Sequence, residues 1–529
     1  MAMSDAGPMG WSDLLGAGRL PRFALICLGV WLNAADALVT ATIMPSVGVE
    51  LGGYAYFSWS VAGFLVGAIL AGASAGRLSE VLGLRAATAL AGVLTAAGCV
   101  MSAAAPDIYV FLAGRLVQGL GTGWVSGFSM VAIALIFPER HLARVFAAIS
   151  GVWGVATVLG PLVGGLYAQA HDWRGVFWLF AGQAGIFSVA ALGLLRGAEG
   201  ARGGPGVPWL QLGVLAAGVA AIAIADVTPG AGPAIGLVTF GMAVLVFVVW
   251  LDGRSRVRLL PVGAQDFATV VGAGYACMFL LTAASMGFAI YGPPILQTLR
   301  GYSPLWAGYV VGAESLAWTV TALLVTDASA RWDAIWVRVG GLCVVASVAM
   351  LAWAMADRPL AWVLTGASLL GAGFGFSWSF LARRVMAVLS DDDRAIGTSA
   401  IIAVRQCGAA AGAALSGVAA NLVGVSHGLT VETARAASLW VFASAAPLAL
   451  AGAWAAFRLT GRQAPSTPSG SPSPKGGGES RLQPPSPPLR GRGTPKGWRG
   501  RRSAKADPGR KPRAARAPQA RCRPRRSGR

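Results

Sequence analysis

The sequence predicts an all-α polytopic membrane protein. Of its 529 residues, 55% are hydrophobic and only 12% are charged, whereas a soluble protein carries about 25% charged residues. Apolar runs of roughly 20 residues, enough for a helix to cross the hydrocarbon core, recur along the chain between short polar pieces. The first run follows a mixed, Gly-rich start, so we expect a membrane span there and not a cleavable signal peptide.

We predict fourteen transmembrane helices from the positions of these runs. With the N-terminus in the cytoplasm, 18 arginines fall in cytoplasmic segments and four in outer segments. This asymmetry satisfies the positive-inside rule and favours an even number of spans. We therefore expect a multi-pass protein of the cell inner (plasma) membrane with both termini cytoplasmic. The predicted spans lie near 23–45, 57–75, 86–105, 108–136, 145–167, 175–195, 208–227, 232–251, 267–291, 304–325, 337–356, 360–382, 396–423 and 436–457.

Two pairs of similar segments indicate that the spans form duplicated halves. The second span contains "AGFLVGA" (62–68) and the tenth "AGYVVGA" (307–313). The fourth contains "GLGTGWVS" (119–126) and the twelfth "GAGFGFSW" (371–378). Chance similarity between helices rich in Gly and Ala is the alternative. The matched positions favour a 6+2+6 architecture, in which pseudo-symmetric halves surround a central cavity, as in secondary transporters.

This architecture divides the chain into five predicted segments. They are a cytoplasmic N-terminus (1–22), an N-terminal six-helix bundle (23–196), a linker with two extra transmembrane helices (197–265), a C-terminal six-helix bundle (266–459) and a basic tail (460–529). From Gln463 onward the chain holds 18 basic and two acidic residues, with much Pro, Ser and Gly. Such a composition cannot build a core, so we expect a disordered tail that is drawn to anionic lipid and has no nucleic-acid role.

Four motifs between Phe23 and Leu459 resemble those of a known family. They are "GRLSEVLGLRAA" (76–87) after span two, "GRLVQGLGTG" (114–123) in span four, "GPLVGG" (160–165) in span five, and an Asp nine residues before a Pro in span one. The chain resembles the major facilitator superfamily, specifically its fourteen-span drug/proton antiporters. The resemblance implies a secondary active transporter that exports drug-like compounds or metabolites in exchange for protons by alternating access.

The motif after span two resembles the first cytoplasmic-loop signature of that superfamily. Its positions are occupied by Gly76, Glu80, Gly83 and Arg85. Glycine permits a tight turn between two spans, and the resemblance implies that the acid and the Arg latch helix ends. A merely positive cytoplasmic loop is the alternative. The sequence departs from the family by having Glu in place of Asp, and Val81 and Leu84 where basic residues are usual, so we expect a weaker latch.

The motif in span five resembles the antiporter signature of the superfamily. Its Gly and Pro residues are Gly160, Pro161, Gly164 and Gly165. Proline kinks a helix and glycines let a neighbouring helix approach closely. Generic packing of small residues is the alternative. The resemblance is the main indication of export over import.

Span one places Asp36 within an apolar helix, beside Asn33 on a polar stripe. Burial away from water disfavours the charged form of a carboxyl group, so Asp36 could bind and release protons near neutral pH. In the family, the Arg that corresponds to Arg115 is associated with proton transfer. An Arg inside a membrane needs an interior partner. The alternatives are a structural Asp36 locked to a neighbouring Arg, and an Arg115 that extends to the outer interface.

The tenth and thirteenth spans supply further candidates for the cavity. Glu314 lies midway along span ten and shares a helical face with Trp318. We expect Glu314 to take part in coupling or cation recognition, with a structural contact between helices as the alternative. Arg405 in span thirteen resembles a basic position of the family and is the expected partner of either acid.

The predicted partners are a small-molecule substrate, protons and the lipid bilayer, with no nucleic acid. We expect a monomer. We also expect that the protein is not an enzyme and needs no cofactor, because no phosphate loop, nucleophile elbow or dinucleotide fingerprint stands in a suitable context. The three histidines lack ligand spacing, so we expect no metal site. The alternatives are a proton-coupled importer or metabolite carrier, and a transporter-like membrane sensor.

Overall fold

The computed structural model of the protein describes residues 19–137, 139–196, 206–325 and 328–461. The first 18 residues lie outside this part, as does the tail from residue 462 onward, whose predicted disorder therefore stays a prediction. The prediction of an all-α protein is confirmed for the described residues, which contain helices and no strands.

Fourteen helices in the described residues are long and apolar enough to cross a membrane, which confirms the predicted number. Several begin at a side chain that caps backbone N–H groups, as Asp107, Asp172, Thr269, Ser303 and Ser390 do. The helices are α1 (Leu20–Leu51), α2 (Phe57–Leu82), α3 (Leu84–Ala103), α4 (Ile108–Ile136), α5 (Glu139–Gln169), α6 (Trp173–Leu194), α7 (Trp209–Val227), α8 (Ala231–Asp252), α9 (Val270–Arg300), α10 (Pro304–Leu324), α11 (Asp333–Ala354), α12 (Leu360–Ala387), α13 (Asp391–Leu422) and α14 (Val431–Gly461).

Some helices extend past the predicted limits. Helix α1 continues through Pro45 to Leu51 and ends at Gly52, whose φ of 65° is left-handed. Helix α9 contains Pro293 and Pro294 and reaches Arg300. The prolines do not end these helices, because neighbouring helices and side chains can satisfy the freed backbone groups of a membrane helix.

The first six and the last six helices pack in the same pattern. In the first half α2 packs on α4, α3 on α4 and α6, and α1 on α5. In the second half α10 packs on α12, α11 on α12 and α14, and α9 on α13. Every helix of the first set thus corresponds to the helix eight places later, which supports the predicted duplication around the extra pair α7–α8.

Two helix pairs make the most extensive contacts between the halves, namely α2 with α13 and α5 with α10. We call the end of the bundle where α1 begins and α14 ends the terminal end, and the other the opposite end. At the opposite end, the Asn421 side chain of α13 donates a hydrogen bond to the Ala55 carbonyl just before α2, at 2.8 Å. Helix α7 of the extra pair packs along α13 and also touches α2.

Candidate functional site

Asp36, Arg115 and Gln118 form a buried polar cluster between α1 and α4. Arg115 Nη1 lies 2.8 Å from Asp36 Oδ1 and 2.9 Å from Oδ2. Gln118 Nε2 donates to Asp36 Oδ1 at 2.8 Å, while Gln118 Oε1 accepts from Arg115 Nη1 at 2.7 Å. The side chains of Asp36 and Arg115 are only 1% and 2% exposed. The two charges thus neutralise each other where neither can reach water.

Further contacts fix the Arg115 side chain from α2. Its Nε donates to the Ser60 carbonyl at 3.1 Å, and its guanidinium carbon lies 4.6 Å from the centre of the Phe64 ring. Arg115 therefore points into the protein and does not extend to the outer interface. A buried charge needs such pairing and hydrogen bonding, because its desolvation is costly.

The polar stripe of α1 continues on both sides of Asp36. Thr40 lies one turn further along and its hydroxyl is 3.5 Å from Asp36 Oδ1. Asn33 is half-buried, and its Nδ2 is 3.4 Å from the Ser126 hydroxyl on α4. The predicted stripe thus faces α4, with Asp36 as its most deeply engaged member.

Glu314 lies midway along α10, against α12. Its backbone carbonyl packs so close to Gly371 that a Cβ there would lie 1.9 Å from the carbonyl oxygen. Its side chain is half-buried, and within the described residues it has neither an ion pair nor a hydrogen bond. Glu314 therefore differs from Asp36, whose charge is fully compensated.

Aromatic rings lie on the same side of the second half as Glu314. The Trp318 ring, one turn after Glu314, stacks on Phe374 with centroids 5.0 Å apart and lies 6.2 Å from Trp378. The Arg405 guanidinium of α13 lies 5.8 Å from the centre of the Trp378 ring. All of these side chains except Phe374 are partly accessible, so this group forms an aromatic wall with one acid and one base.

The expectation that Arg405 pairs with either acid is wrong for Asp36 in this structure. Asp36 is neutralised by Arg115, which stands on a helix that packs directly against α1. Among the described residues Arg405 also has no ion pair with Glu314. Its contact with Trp378 is a cation–π arrangement, in which the ring face attracts the cation.

The motif after span two forms the junction of α2 and α3. Gly83 separates the two helices and has a φ of 75°, which a residue with a side chain rarely adopts. Arg85 Nε donates to the Leu192 carbonyl near the end of α6, at 2.7 Å. Gly76 and Glu80 lie in the last turns of α2, and the side chain of Glu80 is outside the described part of the structure.

The glycines of the α5 motif face two different helices. A Cβ on Gly160 would lie 2.7 Å from Leu38 of α1, and one on Gly165 would lie 2.6 Å from the Leu305 Cα of α10. A Cβ on Gly164 would lie 3.1 Å from the Val39 carbonyl of α1. Pro161, in turn, packs on Gly308 of α10. The motif therefore lets α5 pack tightly against both α1 of its own half and α10 of the other half, at the opposite end.

A sequence profile of the Major Facilitator Superfamily matches residues 26–413. The chain belongs to this superfamily. The resemblance drawn from its four motifs is thereby confirmed at the level of the superfamily.

Curated relatives of this superfamily member include transporters of Mycobacterium tuberculosis. A probable multidrug-efflux transporter is 28% identical over 480 residues, covering 85% of this chain and 97% of the relative. The multidrug resistance protein Stp is 24% identical over 406 residues, covering 74% of each chain. These alignments extend over both halves.

Solved structures share the fold of this chain. The peptide transporter POT superposes with a TM-score of 0.62 at 16% identity, covering 83% of this chain and 94% of its own. The D-xylose-proton symporter superposes with a TM-score of 0.55 at 18% identity, covering 82% and 97%. At these identities the likeness shows the fold and not the substrate.

Several residues that take part in the polar contacts of this chain could not be identified from its sequence. Ser60 contributes only a backbone carbonyl to Arg115, which no side-chain pattern could have indicated. Gln118 was visible as a neighbour of Arg115 on one face of α4, but its double contact was not. Asp226 and Asn421 also form a buried contact, although neither stands in a recognised motif.

Proposed function

We propose that the protein exports small amphipathic molecules in exchange for protons, by alternating access between its two halves. The observation that carries this proposal is the pair of intramembrane acids with different surroundings, Asp36 in an ion pair and Glu314 without one. Ionisable groups at this depth are costly and serve a function by default. The similarity to a probable multidrug-efflux transporter supports export.

Glu314 is our first candidate for the proton carrier. Asp36 is already neutralised by Arg115, so the loss of its charge would leave Arg115 unpaired in the protein interior. Glu314 has no such partner among the described residues, so it can gain or lose a proton without breaking an ion pair. In this proposal Asp36, Arg115 and Gln118 hold α1 and α4 in register, and Glu314 couples the proton to the cavity.

We further propose that Glu314 and the aromatic wall receive the substrate. Flat apolar molecules stack on Trp rings, and a cationic group is attracted both by the ring face and by a carboxylate. The partly accessible Trp318 and Trp378 are suitably placed for this contact. Protonation of Glu314 would remove its attraction for a cationic substrate, which is how one acid could exchange substrate for proton.

The rest of the proposal follows from the sequence. We propose a monomer in the plasma membrane. The arginine asymmetry supports the placement of both termini in the cytoplasm. The terminal end of the bundle then faces the cytoplasm. The opposite end, where Asn421 meets Ala55, faces outward.

Reconstituted flux tests the proposal. The full chain is placed in proteoliposomes with an imposed proton gradient, and a trapped pH-sensitive dye reports proton movement. A lipophilic cationic dye is the first substrate probe. An efflux screen in a strain without its own pumps then extends the test to other compounds. We expect dye movement opposite to the protons. Glu314→Gln should lose this movement and should bind the cationic dye more weakly, because Gln lacks the carboxylate charge. Asp36→Asn tests the second acid.

Glu50→Gln is the matched control, because it removes an acid from the same helix as Asp36. Glu50 is half exposed at the opposite end and pairs with Arg174, so its loss should leave coupling unchanged. Flux in the direction of the protons would instead identify an importer. Binding without flux would identify a sensor. Unchanged pH dependence in both Glu314→Gln and Asp36→Asn would exclude these acids as proton carriers.

A further inference from the structure

A third buried carboxyl group lies in the extra helix pair, where the transport proposal gives it no role. Asp226 is the second-last residue of α7, at the opposite end of the bundle. It accepts a hydrogen bond from the Ser58 hydroxyl through Oδ2 and one from Asn421 Nδ2 through Oδ1, the latter at 2.7 Å. Ser58 and Asp226 are both almost fully buried. This contact is neither a helix cap nor a surface ion pair.

The three residues of this contact belong to three different parts of the chain. Ser58 is in the first turn of α2 in the first half, and Asn421 is in the last turn of α13 in the second half. Asn421 Nδ2 also donates to the Ala55 carbonyl at 2.8 Å and to the Asp226 carbonyl at 3.1 Å. One carboxylate and one amide therefore tie the extra pair to both halves.

The packing around Asp226 is built for close approach. A Cβ on Gly417, one turn before Asn421, would lie 2.4 Å from both Asp226 Oδ2 and the Ser58 hydroxyl. Any larger residue there would push α13 away from the carboxylate. Further along the same seam, Val219 and Ile222 of α7 pack in one buried cluster with small residues of α13, namely Ala410, Ala411 and Ala414. Helix α7 thus lies along the line where α2 meets α13.

We propose that Asp226 is a positioning residue that holds the opposite end closed, so that the extra helix pair serves as a clasp and not only as a spacer. The inference rests on the proposed alternating access. When the two halves rock apart at this end, Ser58 moves with one half and Asn421 with the other. Asp226 can then keep only one of its two partners, so both hydrogen bonds exist together only in the closed state and stabilise that state selectively.

Distances between spin labels test the clasp in the full-length protein in lipid nanodiscs, without substrate or proton gradient. Val49 lies in the last turn of α1 and Val431 begins α14, both at the opposite end, and they are 73% and 59% exposed. Labelled cysteines at these positions, with the natural cysteines replaced, report the separation of the halves. Because opening would break one of the two hydrogen bonds of Asp226, and Asp226→Ala removes both, this variant should raise the ratio of long to short distances about tenfold. Ser58→Ala should shift the ratio the same way by less. Asn421→Ala should shift it at least as much as Asp226→Ala, because it also removes the hydrogen bond to the Ala55 carbonyl.

Asp252→Asn is the matched control, because it alters a buried acid of the same extra pair. Its carboxylate accepts from the backbone N–H groups of Leu259 and Leu260, at 2.6 and 2.9 Å, in the loop that follows α8. These contacts do not bridge the halves, so the Val49–Val431 distances should stay as in the unaltered protein. An equal shift in Asp252→Asn would mean that any loosening of the pair opens the bundle, and would overturn the specific role of Asp226.

The outcomes separate the clasp from the transport proposal. Unchanged distances in well-inserted Asp226→Ala would overturn the clasp, whatever the flux. If Asp226→Ala does not reach the membrane, Ser58→Ala and Asn421→Ala decide, and unchanged distances in both would overturn it. A shift in distances combined with no proton-driven flux in the unaltered protein would leave the clasp standing and remove the transport proposal.

Discussion

Breaking the Asp36–Arg115 pair from one side should destabilise the protein more than removing both charges. In Arg115→Gln the Asp36 carboxylate loses both contacts to Nη1, at 2.8 and 2.9 Å. It keeps the Gln118 amide at 2.8 Å and a longer contact to Thr40 at 3.5 Å. The carboxylate, only 1% exposed, is then a buried charge without a counter-charge.

The structure gives the expected size and order of the effects. Removing one partner of a buried pair costs about 3–5 kcal/mol, which we expect for Arg115→Gln. In Asp36→Asn the Arg115 guanidinium keeps Gln118 Oε1 at 2.7 Å and the Ser60 carbonyl at 3.1 Å. That variant also leaves a buried charge without a counter-charge and should likewise lose about 3–5 kcal/mol. The double variant leaves no buried charge and should be more stable than Arg115→Gln alone.

A double-mutant cycle measures this coupling. The four proteins are purified in one detergent, and their unfolding is followed by the loss of the monodisperse size-exclusion peak on heating. A parallel cycle on Arg174 and Glu50, a pair at 2.8 Å whose side chains are 29% and 48% exposed, should couple by about 0–1 kcal/mol. Additive effects at Asp36 and Arg115, or equal coupling in both cycles, would refute the reasoning.

Three further predictions concern packing, topology and the tail. Gly165→Ala places a Cβ 2.6 Å from the Leu305 Cα, so closure of the opposite end should cost about 1–3 kcal/mol and efflux should fall. Normal efflux in this variant would show that the close approach of α5 to α10 is dispensable. Reporter fusions at Pro229 and Gly461 should report opposite sides of the membrane, and one common side would remove the predicted orientation. Truncation after Gly461 should preserve insertion and flux, and the loss of either would give the tail a role.

Most of the architecture could be predicted because it depends on patterns that lie along the sequence itself. Apolar runs of span length gave the fourteen helices, and similar segments such as 62–68 and 307–313 gave the duplication, which the matching helix pairs support. The helix ends were less accurate. The first span was predicted near 23–45, yet α1 continues through Pro45 to Leu51, because a proline in a packed membrane helix need not end it.

The partners of the polar residues could not be predicted from the sequence. Arg115 and Arg405 are both single bases in apolar spans, and nothing in the sequence distinguishes which of them meets Asp36. The choice depends on which helices touch and how each is rotated about its axis, and α4 packs on α1. Asp226 was overlooked because it stands at the end of a span, where an acid usually reaches water. Its burial follows from the approach of α13 at Gly417.

The contacts between the halves also indicate which way this structure is closed. Helices α5 and α10 meet at their opposite-end segments, where Gly308 packs on Pro161 and Gly165 on Leu305. Helices α2 and α13 meet at the same end through Asn421 and the Ala55 carbonyl. These contacts therefore hold the two halves together at the opposite end. If the termini are cytoplasmic, as we propose, this end is the outer one. The clasp at Asp226 would then stabilise the contact between the halves on the outer side, and weakening it should favour a conformation that opens outward.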